Sequence, residues 1–209
     1  TRVGVNGGWE HDYPTADRNF SAILDYITHT RVHLTDSNIF DLEDPRIFEN
    51  PVIYMSEPGY WTTDEAEATN LRKYLLKGGF LWVDDFWGTQ AWNQWTHELS
   101  KALPDYKIFD IPVEHPLRHI LFPVNEVEQV TNINFWMRTG QTSERGDDSP
   151  HADLRGIADD KGRIMVVMTH NTDFGDSWER ESESREFFEQ FSPKGYALGI
   201  DVLLYAVTH

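Results

Sequence analysis

The sequence predicts an α/β fold built on a doubly wound, mostly parallel sheet, and three observations predict it. Val52–Met55 and Phe80–Val83 are continuous apolar runs of the kind that a sheet buries on both faces. Between them Ala66, Leu71, Tyr74 and Leu75 fall on one helix that ends in the pair Gly78–Gly79, so Val52–Val83 reads as strand, helix, strand. Such a unit crosses over right-handed in nearly all cases, which makes its strands parallel and puts their carboxyl ends on one edge. The alternation then continues through a helix over Trp92–Leu103 and strand candidates at Lys107–Ile111 and Arg163–Met168.

The 209 residues suit one domain over 1–209, with an irregular insertion at about 113–160. A 39% hydrophobic share with eight Trp gives apolar material enough for a core, which excludes disorder of the whole. A formal charge of −17 with no basic run argues against nucleic acid as a partner, because phosphate backbones are repelled. The absence of cysteine excludes a disulfide framework, a thiolate metal site and a cysteine nucleophile. No apolar run reaches the roughly 18–20 residues of a membrane span; Tyr196–Val207 is short and carries Asp201. The chain opens at Thr1 in strand-like sequence, and an upstream signal peptide or anchor is expected.

In chain order, Arg2–Asn6 reads as the first strand and GGWEHDYPTADRN as a loop. Phe20, Ile23, Leu24 and Ile27 repeat at helical spacing, with Thr15 or Asp17 as cap. Arg31–Leu34 is a brief strand candidate and Asp36–Asn50 a loop. Thr62 with Glu65 has capping-box spacing. Short strands are expected near Val127–Val130 and Phe135–Arg138, a mobile loop at Thr142–Pro150, a short helix at Ser184–Phe191, and an apolar helix at Ala197–Val207 that docks on the sheet.

For chemistry, Asp84–Asp85 at a strand end beside Glu57 stand first, since neighbouring carboxylates raise one another's pKa or share a cation. The competing reading is that one acid caps a helix or binds turn amides. His115 follows a strand candidate and is expected at the same edge as base or ligand donor, although most such histidines are hydrogen-bonded loop residues. His11, with Glu10 and Asp12, and His170, with Asp173 and Asp176, carry the same two readings. Trp9, Trp61 and Trp87 fall just after strands, where they could stack on flat or sugar-like ligands, whereas Trp92 and Trp95 keep helical spacing and read as core. No zinc, calcium-loop, serine-hydrolase, P-loop or dinucleotide motif is present, so no metal or cofactor is specified.

The stretch FENPVIYMSEPGYWTTDEAEATNLRKYLLKGGFLWVDDFWG, with IPVEHPLRH, KGRIMVV and YALGIDVLLYAVTH, resembles domain-of-unknown-function family 4159 over nearly the whole chain. The resemblance implies a three-layer, flavodoxin-like fold similar to class I glutamine amidotransferases, and an extracytoplasmic protein, periplasmic or membrane-anchored. In amidotransferase-like folds the nucleophilic cysteine stands at an elbow after a strand preceded by a glycine pair; the matching stretch here offers Asp84 and Asp85. Thioester chemistry is therefore excluded. The leading expectation is a non-catalytic module that binds a small polar ligand or a protein partner at Glu57, Trp61, Asp84, Asp85, Trp87 and His115. The alternatives are a hydrolase, metal-assisted or not, acting on a sugar-containing or ester substrate through Asp84 or Asp85 with His115, and a purely structural interaction module.

Overall fold

The computed structural model describes residues 1–4, 8–35 and 37–209. Its elements run β1 (Arg2–Val3), α1 (Thr15–Thr28), β2 (Ile39–Phe40), β3 (Val52–Ser56), α2 (Glu65–Leu76), β4 (Phe80–Phe86), α3 (Gly88–Ala102), β5 (Phe109–Asp110), α4 (Ile133–Thr139), β6 (Asp153–Ala158), β7 (Ile164–His170), α5 (Phe174–Glu179) and α6 (Arg185–Thr208). This is an α/β fold around a seven-stranded sheet of order β2-β1-β3-β4-β7-β6-β5.

The sheet is mixed. β1, β2, β3, β4 and β7 pair in parallel, while β6 runs against both β7 and β5. The cause is the short connection between β6 and β7, where the Asp159 carboxylate accepts from the amides of Lys161 and Arg163 and Gly162 takes φ +84°. A turn of this length closes a hairpin and cannot carry a crossover.

Alternation along the central strand divides the core. Phe80 and Trp82 pack with Leu24 of α1, Phe174 and Trp178 of α5, and the apolar side of α6. Leu81 and Val83 pack with Leu71 and Leu75 of α2 and with Trp95 and Leu99 of α3. Burying both faces accounts for the unbroken apolar runs of β3 and β4.

Several local expectations are corrected. The strand expected at Arg31–Leu34 forms instead at Ile39–Phe40, and the end of the expected first strand, Val5 and Asn6, lies outside the described residues. Helix α2 is capped two residues later than Thr62, by Asp64, whose carboxylate accepts the Glu67 amide while the Glu67 side chain accepts the Asp64 amide. Residues 127–130 form no strand, and Phe135–Arg138 lies inside α4, which Asn132 caps through the amides of Asn134 and Phe135. The two C-terminal helices are one 24-residue helix with Pro193 inside it. Proline there removes a backbone donor, and burial of Phe187, Phe191, Tyr196, Leu198, Ile200 and Tyr205 outweighs that loss.

Candidate functional site

Strands β3, β4 and β7 end side by side, so the residues that follow each one meet at the carboxyl edge. Glu57 follows β3, Asp84 and Asp85 close β4, and Asn171–Asp173 follow β7. The loop after β1 brings His11 and Asp12 to the same place. Such an edge is the usual ligand position in open α/β sheets.

A bulge sets the two adjacent acids. Val83 pairs with Met168 and Phe86 with His170, so β4 fits two residues, Asp84 and Asp85, opposite the single Thr169. Asp85 takes up the extra length in a left-handed conformation, φ +57°. The two side chains part company: Asp84 is held by Tyr54, Thr169 and Gly175, while Asp85 joins Asp12 and Asp173.

Asp84 is fully enclosed and saturated. Its carboxylate accepts from the Tyr54 hydroxyl at 2.7 Å, the Thr169 hydroxyl at 2.5 Å and the Gly175 amide at 3.1 Å. Burial pushes its pKa up to about 6, and these three donors oppose the rise. Its donors come from β3, β7 and the start of α5, not from the Phe86–Gly88 turn or the next helix, so it ties those three elements together.

Asp85 faces the opposite situation. Its oxygen Oδ1 accepts from Trp87 Nε1 at 3.1 Å, and ligating oxygens of Asp12, Asp85 and Asp173 lie within 4.8 Å of one another. Burial, then the charge of Asp12, raises the Asp85 and Asp173 carboxyls well above the ordinary carboxylate range. Burial and then Asp176 do the same to Asp12. Asp12 Oδ2 and Asp176 Oδ2 are buried and have no hydrogen-bond partner among the described residues. Two cations stand beside these acids: Arg2 is engaged by Asp17 at 2.8 Å and by the carbonyls of Trp9 and His11 at 2.9 Å each, and Arg180 lies 3.5 Å from Asp176 Oδ1 and pairs with Glu183. Such a cluster of carboxylates can hold a divalent cation.

Above these acids opens a polar cleft of about 1100 Å³, whose lining includes Glu57, Tyr60, Asp85, Asn93, Gln94 and Arg145. One wall is the segment 142–150, expected as a mobile loop. It is tied down instead: Glu144 accepts from Thr131 and Asn132, and Asp148 accepts the amide and hydroxyl of Thr89 at the start of α3.

The other expected site residues divide. His11 Nδ1 meets Glu57 Oε1 at 2.8 Å, and both lie within ligand distance of Asp85. Trp87 borders the cleft but is 8% exposed, its indole turned to Asp85. Trp61 is fully buried against Trp95, ring centres 5.4 Å apart, and so belongs to the core rather than the cleft. Trp9 packs on Tyr13 at 6.0 Å and does not line the cleft.

His115 is not brought to this edge. Its Nδ1 accepts the Leu117 amide at 3.1 Å, and its ring lies 5.7 Å from Tyr205, whose hydroxyl accepts the amide of Ile164. Ile164 begins β7, whereas Thr169 near its end contacts Asp84, a separation of about 16 Å along the strand. The turn into Pro116 uses His115 as its cap, which explains the position. His170 is also structural, between Asp153 at 3.1 Å and the rings of Phe86 and Trp92.

Asp12, Asp173 and Asp176 enter the sequence reading as neighbours of histidines, and DFGDSWE, which spans Asp173, Asp176 and Glu179, lacks the calcium-loop spacing. The available signal was position: each of the first two acids follows a strand. No curated protein matches the chain. Residues 1–207 match the family described as Domain of unknown function (DUF4159), and the chain belongs to that family.

Proposed function

We propose that the domain binds a small polyhydroxylated ligand in the cleft above β3 and β4, without amidotransferase chemistry. The observation that carries this reading is the cleft itself. Its carboxylates (Glu57, Asp85, Glu144, Asp148), amides (Gln90, Asn93, Gln94) and one arginine (Arg145) offer both acceptors and donors, as hydroxyl groups require, beside the exposed ring of Tyr60. A concave site of this size favours a small ligand over a flat protein partner. The absence of cysteine removes the thiolate that glutamine hydrolysis needs, and Asp84 and Asp85 stand where the amidotransferase resemblance would put the nucleophile.

The test is thermal melting against a panel of mono- and disaccharides. A saturable rise in Tm, lost in Asp85→Ala and Gln94→Ala, supports the reading by mass action on the folded state. A panel without effect, or a shift that survives both substitutions, refutes it.

One feature favours a second reading, a metal-assisted hydrolase. Asp85 holds a left-handed backbone between the acids and the cleft, next to the His11–Glu57 pair, and strained residues of this kind gather at working sites. Turnover of generic esters or glycosides that disappears in both Asp85→Ala and His11→Ala would favour it; turnover that persists in either would dismiss it.

A further inference from the structure

We propose that Asp12, Asp85 and Asp173 form a binding site for one hard divalent cation, of the Mg²⁺, Mn²⁺ or Ca²⁺ class. The inference goes beyond the cleft reading and does not require it.

Three observations carry it. First, the ligating oxygens of these residues lie within 4.8 Å of one another. Oxygens that each stand 2.0–2.6 Å from one ion can be no more than about 5 Å apart, so the set matches such a sphere. Second, Asp12 is 8% exposed and its Oδ2 has no partner among the described residues. A buried carboxylate oxygen left without donor or cation is costly, and an ion removes the cost. Third, Asp12 and Asp173 both pack on Gly175. A Cβ there would stand 2.2 Å from Asp12 Oδ2 and 3.2 Å from Asp173 Oδ1, so only glycine lets these two carboxylate oxygens come close to one another.

The donors are all carboxylate oxygens, which selects hard cations over thiophilic ones. Asp85 also lines the cleft, giving the ion a route from solvent and making it a neighbour of whatever the cleft holds. Asp12 and Asp85 each belong to a second group of candidate ligands as well, Asp12 with Asp176 and Glu179 and Asp85 with His11 and Glu57, so further donors stand next to the site.

The experiment uses the full chain after chelator treatment and dialysis. Calorimetric titration with MgCl₂, CaCl₂ and MnCl₂ is expected to show one ion bound per chain for at least one metal. At a hundredfold excess over Kd, Tm should rise by about 5–10 °C. Asp12→Asn and Asp173→Asn should each weaken binding about tenfold or more. Asp173→Asn keeps the oxygen that accepts the Asp176 amide, so it retains the cap of α5 and serves if Asp12→Asn fails to fold. Asp105→Asn, at an exposed position, should change nothing. The proposal is overturned if no metal binds saturably at millimolar concentration, or if binding is unchanged in a folded Asp173→Asn chain. Gln94→Ala is expected to leave cation binding intact, so loss of saccharide binding there separates a failed cleft reading from a failed cation site.

Discussion

Replacing Asp84 by asparagine should stabilise the metal-free protein at alkaline pH and destabilise it slightly at acid pH. The carboxyl has a folded pKa of about 6 against an unfolded value near 3.8, chiefly because it is buried. A raised folded pKa means that the folded state holds the proton more tightly. The stability it contributes is therefore full below about pH 4 and is lost as pH rises through 6. The loss amounts to about 3 kcal/mol at neutral pH and above. Asparagine does not titrate; its carbonyl can still accept from Tyr54 and Gly175, while the Thr169 hydroxyl, which also bonds the Val83 carbonyl at 3.1 Å, can turn to accept from the new amide. Allowing about 1 kcal/mol for a poorer hydrogen bond, Asp84→Asn should gain about 2 kcal/mol over wild type near pH 8 and lose about 1 near pH 4. Asp84→Ala differs, because it orphans three donors at about 1–3 kcal/mol each and should be the worst of the set at acid pH. Urea denaturation in chelator at both pH values, with unchanged m values, measures these differences. The reasoning fails if asparagine destabilises more at pH 8 than at pH 4, or if alanine and asparagine behave alike.

Three further outcomes are expected. Trp61→Ala should cost about 3–5 kcal/mol in urea denaturation through the cavity it leaves beside Trp95, without changing the affinity of the cleft for any ligand that melting identifies. His115→Ala should leave cleft binding and any hydrolytic turnover at wild-type levels in the same assays, since the ring lies at the other end of β7. Asp201→Ala should lower stability by about 1–3 kcal/mol, because Asp201 Oδ1 accepts the amides of Leu121 and Phe122 and pins that loop to α6; Asp201→Asn should restore most of it.

The β3–α2–β4 unit was legible because each signal in it is local: two doubly buried runs, a cap and a glycine pair. Strand β6 was not, since Asp153–Ala158 is short, carries Gly156, and owes its place to pairing with β5 and β7. The separation of Ser184–Phe191 from Ala197–Val207 failed for a related reason, as tertiary burial carries one helix through Pro193. At the site, Asp85, Glu57 and His11 could be read from their positions after strands. The acids at 12 and 173 have no short spacing to Asp85, and only the convergence of separate strand ends brings them together. His115 and Trp61 misled because the same loop position serves equally well for a turn cap or a core contact.

The extra residue in β4 has a consequence for how this edge can change over generations. Point substitutions at 84 or 85 alter one acid and keep the other where it is. Deleting either one removes the bulge, so Phe86 and everything after it shift by one place against β7 and turn to the opposite face. Between relatives, a one-residue difference in length here should therefore matter more than any exchange of side chains, because it dismantles the whole arrangement in a single step.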